Sequence, residues 1–124
     1  MTLKSTRKAL AMAAAFLMLA AVTGCKPDNV FFRISNRTGG TLHNVKVTYP
    51  GGTLTTDTLD NMTDWGTYRH FDGPGGLEIS YTTESGSDRS SSGPQVTGNE
   101  KGEVRIRIDG SWATFDTQFE PSQQ

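Results

Sequence analysis

Cysteine is almost absent from this chain, with Cys25 alone among 124 residues. No intrachain disulfide can form, and there is no cysteine pair for a metal site. Histidine is nearly as scarce. His43 and His70 are the only two, they stand far apart, and no H-E-x-x-H motif joins them to a zinc chemistry. A nucleophilic serine needs a strand-turn-helix elbow of the G-x-S-x-G kind, and none occurs. Ser85-Gly86-Ser87 lies in a polar stretch without that context. Helical periodicity is missing as well: from residue 30 to residue 124 no 3.6-residue pattern is kept for long. There is no internal repeat and no long block of one charge.

The longest hydrophobic run is Ala9 to Val22, fourteen residues without a polar side chain. As a helix it would cover roughly 21 Å at about 1.5 Å per residue, short of the roughly 30 Å hydrocarbon core. Lys4, Arg7 and Lys8 precede it and small residues follow it, the build of a secretory signal peptide. Val22-Thr23-Gly24-Cys25 resembles the lipobox of bacterial lipoproteins. The resemblance covers only this leader. It implies cleavage between Gly24 and Cys25, a covalent diacylglycerol on the Cys25 sulfur, and residues 1–24 as the signal segment. Two or three acyl chains, at about 0.8 kcal/mol per buried methylene, make a stable anchor where one would be marginal. Lys26 stands where enteric-type cells place an aspartate for inner-membrane retention, so the resemblance implies the periplasmic face of the outer membrane in a Gram-negative cell.

Removing Lys4, Arg7 and Lys8 from the twelve basic residues leaves nine against thirteen acidic ones, a formal charge of −4. Nucleic-acid binding, which needs clustered cations to displace counterions, is not expected. Nor is there a polybasic patch for anionic lipid, so the expected membrane contact is the acyl anchor. Residues 25–29 form the tether. Its four residues after Cys25 reach roughly 14 Å at about 3.5 Å each.

Residues 30–119 carry period-two alternation. Val30, Phe32 and Ile34 alternate with Phe31 and Arg33, and Val45, Val47 and Tyr49 alternate with Asn44, Lys46 and Thr48. Leu77, Ile79 and Tyr81 repeat the pattern, as do Val104, Ile106 and Ile108. These twelve residues are the expected core. Pro50-Gly51-Gly52 reads as a turn, with proline at its first corner and glycine accepting the positive φ that follows, and Thr53 to Leu59 as its return. Asp60 to Asp64 reads as a loop, and Trp65 to Phe71 as a strand. Glu84 to Gly93 is Ser-rich, either a mobile loop or a solvated edge strand. Asp109-Gly110 is read as a type I′ turn before a last strand. The tail, 120–124, is expected to fray.

The expected fold is all-β, a small antiparallel sandwich of about seven strands, with a small open barrel as runner-up. Residues Ile34 to Val45 resemble the opening hairpin of small immunoglobulin-like domains. That resemblance is architectural and implies no activity.

The candidate binding face is Trp65, Tyr68, His70 and Asp72, of which the last three share a strand parity. Asp57, Asp60, Asn61 and Asp64 are the densest oxygen set, but their spacing does not match a calcium loop, and no metal is expected. Trp112 is expected to pack beneath a loop; the alternative, if the Ala113 and Phe115 face is buried, is exposure near an edge, where a tryptophan would mark an interface. No catalytic set and no cofactor beyond the Cys25 lipid are expected. The reading is a lipid-anchored envelope protein that binds another envelope protein. The alternative is a glycan or small-ligand binder, or a hydrolase, using the Asp57 to Asp72 region. The anchor is testable at once. The N-terminal peptide should carry the mass of acyl chains on Cys25, and Cys25→Ser should release the protein from membranes. An unmodified thiol there would refute it.

Overall fold

The computed structural model describes residues 27–121; Gly24, Cys25 and the leader lie outside the described residues, as do residues 122–124. Period-two alternation becomes eight strands: β1 (Val30–Asn36), β2 (Leu42–Tyr49), β3 (Gly52–Leu59), β4 (Asp64–Arg69), β5 (Gly75–Thr82), β6 (Asp88–Val96), β7 (Gly102–Asp109) and β8 (Trp112–Phe119). They form two four-stranded sheets, ordered β4-β1-β7-β8 and β3-β2-β5-β6. The described residues form a small all-β sandwich.

All twelve expected core residues are buried between the sheets. Each contributes about 1.5–3 kcal/mol by leaving water, which is what holds a disulfide-free domain of this size. Five more apolar residues join them: Leu42, Leu54, Leu59, Phe71 and Val96. The first three break simple alternation, and a β-bulge explains it. The β2 register against β5 shifts between His43 and Lys46, and Asn44 takes φ 52° there. Asparagine tolerates that left-handed backbone better than most residues. The slip lets even-numbered Leu42 and odd-numbered Val45 face the same core. β3 turns with it, so that Leu54 stands opposite Val47 and Leu59 opposite Leu42.

Several expectations need correction. β1 and β2 are not a hairpin: they lie in opposite sheets, so residues 37–41 cross from one layer to the other. The expected immunoglobulin-type opening hairpin is therefore absent, and what the structure shows is the sandwich. Nor is the pairing wholly antiparallel. β1 runs parallel to β7, from Val30 beside Gly102 to Asn36 beside Ile108. The Ser-rich segment is the edge strand β6, which is why the count is eight; it buries only Val96 and is held by its ladder to β5. The last turn has Gly110 and Ser111 at its corners, since Asp109 pairs with Trp112. Positive φ falls on Gly110 (53°) and not on Ser111, the pattern of a type II′ turn. By contrast Gly51, after Pro50, has φ 108°, as the proline-glycine reading requires.

The fourth strand stops at Arg69, two residues early. Phe71 leaves the sheet to plug the core, its ring edge-on to Phe32 (6.0 Å) and Phe119 (6.4 Å), and the Asp72 N–H donates to the Pro50 carbonyl at 3.0 Å. Strand directions put residues 27–29 and the connections 50–51, 70–74 and 97–101 at one end, called the near end. The connections 37–41, 60–63, 83–87 and 110–111 make the far end.

Among the described residues Asn36 is the one fully buried polar residue in the core, and the far end is built on it. Its amide donates to the carbonyls of Gly40 and Leu59, both at 2.8 Å, and its Oδ1 accepts from the Thr38 N–H and hydroxyl. Tyr81 presents the opposite case, a buried hydroxyl with no partner, and burial pushes its pKa up. The two should answer oppositely to truncation. Asn36→Ala is expected to cost about 2–4 kcal/mol, and Tyr81→Phe to be neutral or to stabilise by about 1 kcal/mol, in urea unfolding.

Candidate functional site

The two outer faces of the sandwich differ in chemistry. On the β3-β2-β5-β6 sheet the outward residues include Thr48, Thr53, Thr55, Ser80, Ser90 and Ser92, with Lys46 and Glu78 among them. On the β4-β1-β7-β8 sheet, register sets out rows instead. Tyr68, Phe31, Glu103 and Gln118 stand side by side, then Gly66, Arg33, Arg105 and Asp116, then Asp64, Ser35, Arg107 and Thr114. Asp109 and Trp112 complete the far end. Aromatic and arginine side chains of this kind carry most energy where proteins dock.

Phe31 and Tyr68 meet with ring centroids 4.8 Å apart, and the Arg33 guanidinium lies 5.7 Å from the Phe31 ring centre. Gly66 makes room for this. A Cβ there would come within 2.6 Å of Phe31 Cζ and 2.5 Å of the Phe32 carbonyl oxygen. Phe31 is half-buried, while Tyr68 and Trp112 are 58% and 61% exposed. Trp112 therefore does not pack beneath a loop. β8 turns Ala113, Phe115 and Phe119 to the core, and strict alternation leaves Trp112 outside.

Register also places Arg33 directly opposite Arg105, a repulsive pair unless a counter-charge intervenes. Glu103 supplies it. Its Oε1 lies 3.3 Å from Arg33 Nε and 3.1 Å from Arg105 Nε, and Arg105 Nη2 donates to Oε2 at 3.3 Å. The hydrogen bond first, then the charge of Glu103, raises the Arg105 pKa above its usual value. Arg107 pairs with Asp109 through Nε at 3.0 Å, and Arg37 Nη2 with Asp64 Oδ1 at 3.0 Å. The Ser35 hydroxyl holds the Asp64 carboxyl below its usual pKa; partial desolvation opposes this and Arg37 reinforces it.

The sequence-derived face of Trp65, Tyr68, His70 and Asp72 is not one surface. Trp65 stands opposite core residue Ile34 and packs inward, whereas Tyr68 stands opposite Phe31 and points outward. His70 and Asp72 lie beyond the strand at the near end. There His70 Nδ1 is 2.7 Å from Asp28 Oδ1 and His70 Nε2 is 3.0 Å from Asp72 Oδ1. A neutral ring donates to one of these carboxylates, and an imidazolium to both. The contact ties residue 28 of the tether to the domain. Nothing in the alternation of residues 65–72 signals Asp28 as a partner.

Nor do the carboxylates of the Asp57 to Asp72 region converge. Asp57 is exposed on β3, Asp60 and Asp64 are at the far end, and Asp72 is at the near end. Asn61 is spent on the Gly39 N–H at 3.0 Å. Among the described residues no group of three or more His, Cys, Asp or Glu side chains could hold a metal ion. His43 is exposed on β2. The far end does hold an open groove of about 670 Å³ among Thr38, Thr83, Glu84, Ser85, Ser87 and Arg89. A smaller cavity of about 120 Å³ lies at the near end beside His70 and Glu100. Desolvation, the largest single influence on Glu100, would raise its pKa. The N–H groups of Thr97 and Gly98, which donate to it at 2.7 and 2.8 Å, prevail with the other hydrogen bonds and lower it.

No protein-family model matches the sequence, and no curated protein matches it either. A protein from Eubacterium rectale, solved by NMR, is similar in structure with a TM-score of 0.55 at 22% identity, over 66% of this chain and 78% of that one. The likeness is one of fold.

The arginine rows make a prediction. Glu103→Gln should lower stability by less than about 1 kcal/mol, because Arg33 and Arg105 are half exposed. The loss should shrink at about 1 M salt, where the Debye length is about 3 Å. Denaturant titrations at two salt concentrations check it, and a loss indifferent to salt would mean that Glu103 acts by packing.

Proposed function

We propose that this protein is a bacterial envelope lipoprotein, held to the membrane through lipid on Cys25, that works without catalysis by binding another envelope protein. The observation that carries the binding half is the outer face of the β4-β1-β7-β8 sheet. It presents Tyr68, Trp112 and the edge of Phe31 among Arg33, Arg105 and Arg107, whereas the opposite face presents chiefly hydroxyls. The anchor half rests on the leader, the lipobox resemblance and the short tether. With the near end beside the bilayer, the arginine and aromatic face stands upright and open to a neighbour.

A polar small ligand such as a glycan is the second reading. Its support is the far-end groove with Arg89 and Glu84, and not the dispersed Asp57 to Asp72 carboxylates.

Cross-linking in intact envelopes, followed by pull-down, separates the two. Lipidated protein should recover one protein near stoichiometrically, and Cys25→Ser should recover far less of it. Recovery of no specific partner, with the anchor confirmed by mass, would move the function to the groove.

A further inference from the structure

Four strands end the two sheets, and three of those edges carry a device against further pairing. β6 contains Pro94 and shifts register against β5 between Gly76 and Glu78. β8 packs against β6, with the Phe115 ring in the space a side chain at Gly93 would need. β3 carries exposed Asp57 opposite the Asn44 bulge. Such prolines, bulges, charges and covers are how sheets blunt their edges. β4, reading Asp64-Trp65-Gly66-Thr67-Tyr68-Arg69, has charge only at its two ends, where Asp64 is paired with Arg37, and no proline, bulge or charge between them; β3 and β4 do not close on each other as β6 and β8 do.

The main chain of β4 can be sorted by side. The Asn36 N–H donates to the Thr63 carbonyl at 3.0 Å, and the Arg37 N–H to the Ile108 carbonyl at 2.8 Å. Even residues of β1 thus bond toward β4 and odd residues toward β7. With Phe32 beside Thr67 and Ile34 beside Trp65, the odd residues of β4 bond inward. Asp64, Gly66 and Tyr68 therefore turn their N–H and C=O groups to the open edge. One of these groups is covered: Arg69 Nη1 donates to the Tyr68 carbonyl at 2.8 Å and to Thr67 Oγ1 at 3.2 Å. Arg69 reaches no carboxylate among the described residues.

We propose that the free edge of β4 is the docking site for an extended strand of the partner protein, which adds as the fifth strand of the β4-β1-β7-β8 sheet. The inference rests on the protein-binding reading above and names its geometry. An alternating row of free main-chain donors and acceptors is complementary to another extended main chain. The incoming strand displaces Arg69 from the Tyr68 carbonyl, and a carboxylate at that end of the strand takes up its guanidinium. Alternate side chains lie over Tyr68 outside and against half-buried Trp65 inside. A second copy of this chain fits less well. Faces match only when residues of equal parity stand opposite, so Asp64 of one β4 can meet Tyr68 of another but never Arg69.

The test uses the full-length lipidated protein and its cross-linked complex. Tyr68→Pro removes an outward N–H and leaves the ladder to β1 intact, and Tyr68→Ala removes the same side chain but keeps the N–H. About tenfold less complex is expected for Tyr68→Pro than for Tyr68→Ala, both folded by circular dichroism. Arg69→Ala, which uncovers the Tyr68 carbonyl, should still give complex. Independently of whether the proline variant folds, the Gly66 and Tyr68 amides of the unmodified protein should exchange slowly in the complex and quickly alone. Equal yields from the proline and alanine variants, or unprotected amides in the complex, overturn the edge and leave the protein-binding reading standing. No complex with the unmodified protein overturns that reading, and the inference with it. A complex of two copies joined through β4 overturns the assignment to a foreign strand.

Discussion

Strand β1 has to satisfy two neighbours at once, and most of the domain follows from how it does so. It lies inside its sheet, antiparallel to β4 on one side and parallel to β7 on the other. Its even residues spend their main chain on β4 and its odd residues on β7, while its side chains alternate between core and surface with the same period. Val30, Phe32 and Ile34 are therefore both the buried residues and the ones bonded to β4. With no disulfide available, this shared strand joins the start of the described domain to its last hairpin. A slip of one residue would expose three core side chains and misalign both ladders together. Register here is fixed by burial and by two sets of hydrogen bonds.

At the end of β1 the same strand must leave its sheet, and Asn36 solves the crossing. A buried asparagine costs little when its donors and acceptors are met, and a great deal when they are not. Asn36 bonds to residues 38, 40 and 59 through its side chain, and to 62 and 63 through its backbone. It thus pins the crossover 37–41, the end of β3 and the 60–63 loop to a single point. The far-end groove includes Thr38, so it stands on this network. The near end is closed by apolar means instead, with Phe71 set among Phe32, Tyr49 and Phe119.

The core was legible in the sequence because alternation reports burial directly: Val45, Val47 and Tyr49 declare a face wherever their strand sits. What alternation does not report is the neighbour. Nothing in Val30 to Asn36 distinguishes a hairpin partner at β2 from a parallel partner at β7, and the first was expected where the second occurs. Leu42 escaped because the bulge at Asn44 breaks the period it would have joined. Trp65 and Tyr68 differ by three in number and so in parity, and nearness along the chain does not bring them to one face. Asp28 beside His70 was beyond reach, since the contact spans forty-two positions and depends on where β4 ends. Gly66 falls within the expected strand Trp65 to Phe71, and nothing in the sequence singles it out; its place under Phe31 becomes visible only once β1 and β4 are paired.

The proposed anchor and the proposed docking edge would constrain each other. β4 descends from Asp64 at the far end to Arg69 at the near end, a span of roughly 20 Å at about 3.3 Å per residue. If Cys25 carries lipid as proposed, five extended steps of about 3.5 Å keep residue 30 within roughly 18 Å of the lipidated residue. The Asp28 to His70 contact shortens that reach by fastening the tether to the domain two residues before β1 begins. Arg69, one residue before His70, is then close to the membrane, and the whole of β4 lies within a few nanometres of it. Under that proposal, the edge lies within reach of proteins held at the same surface. If both proposals hold, the tether favours a partner near the membrane, and the main-chain pattern of β4 favours an extended one.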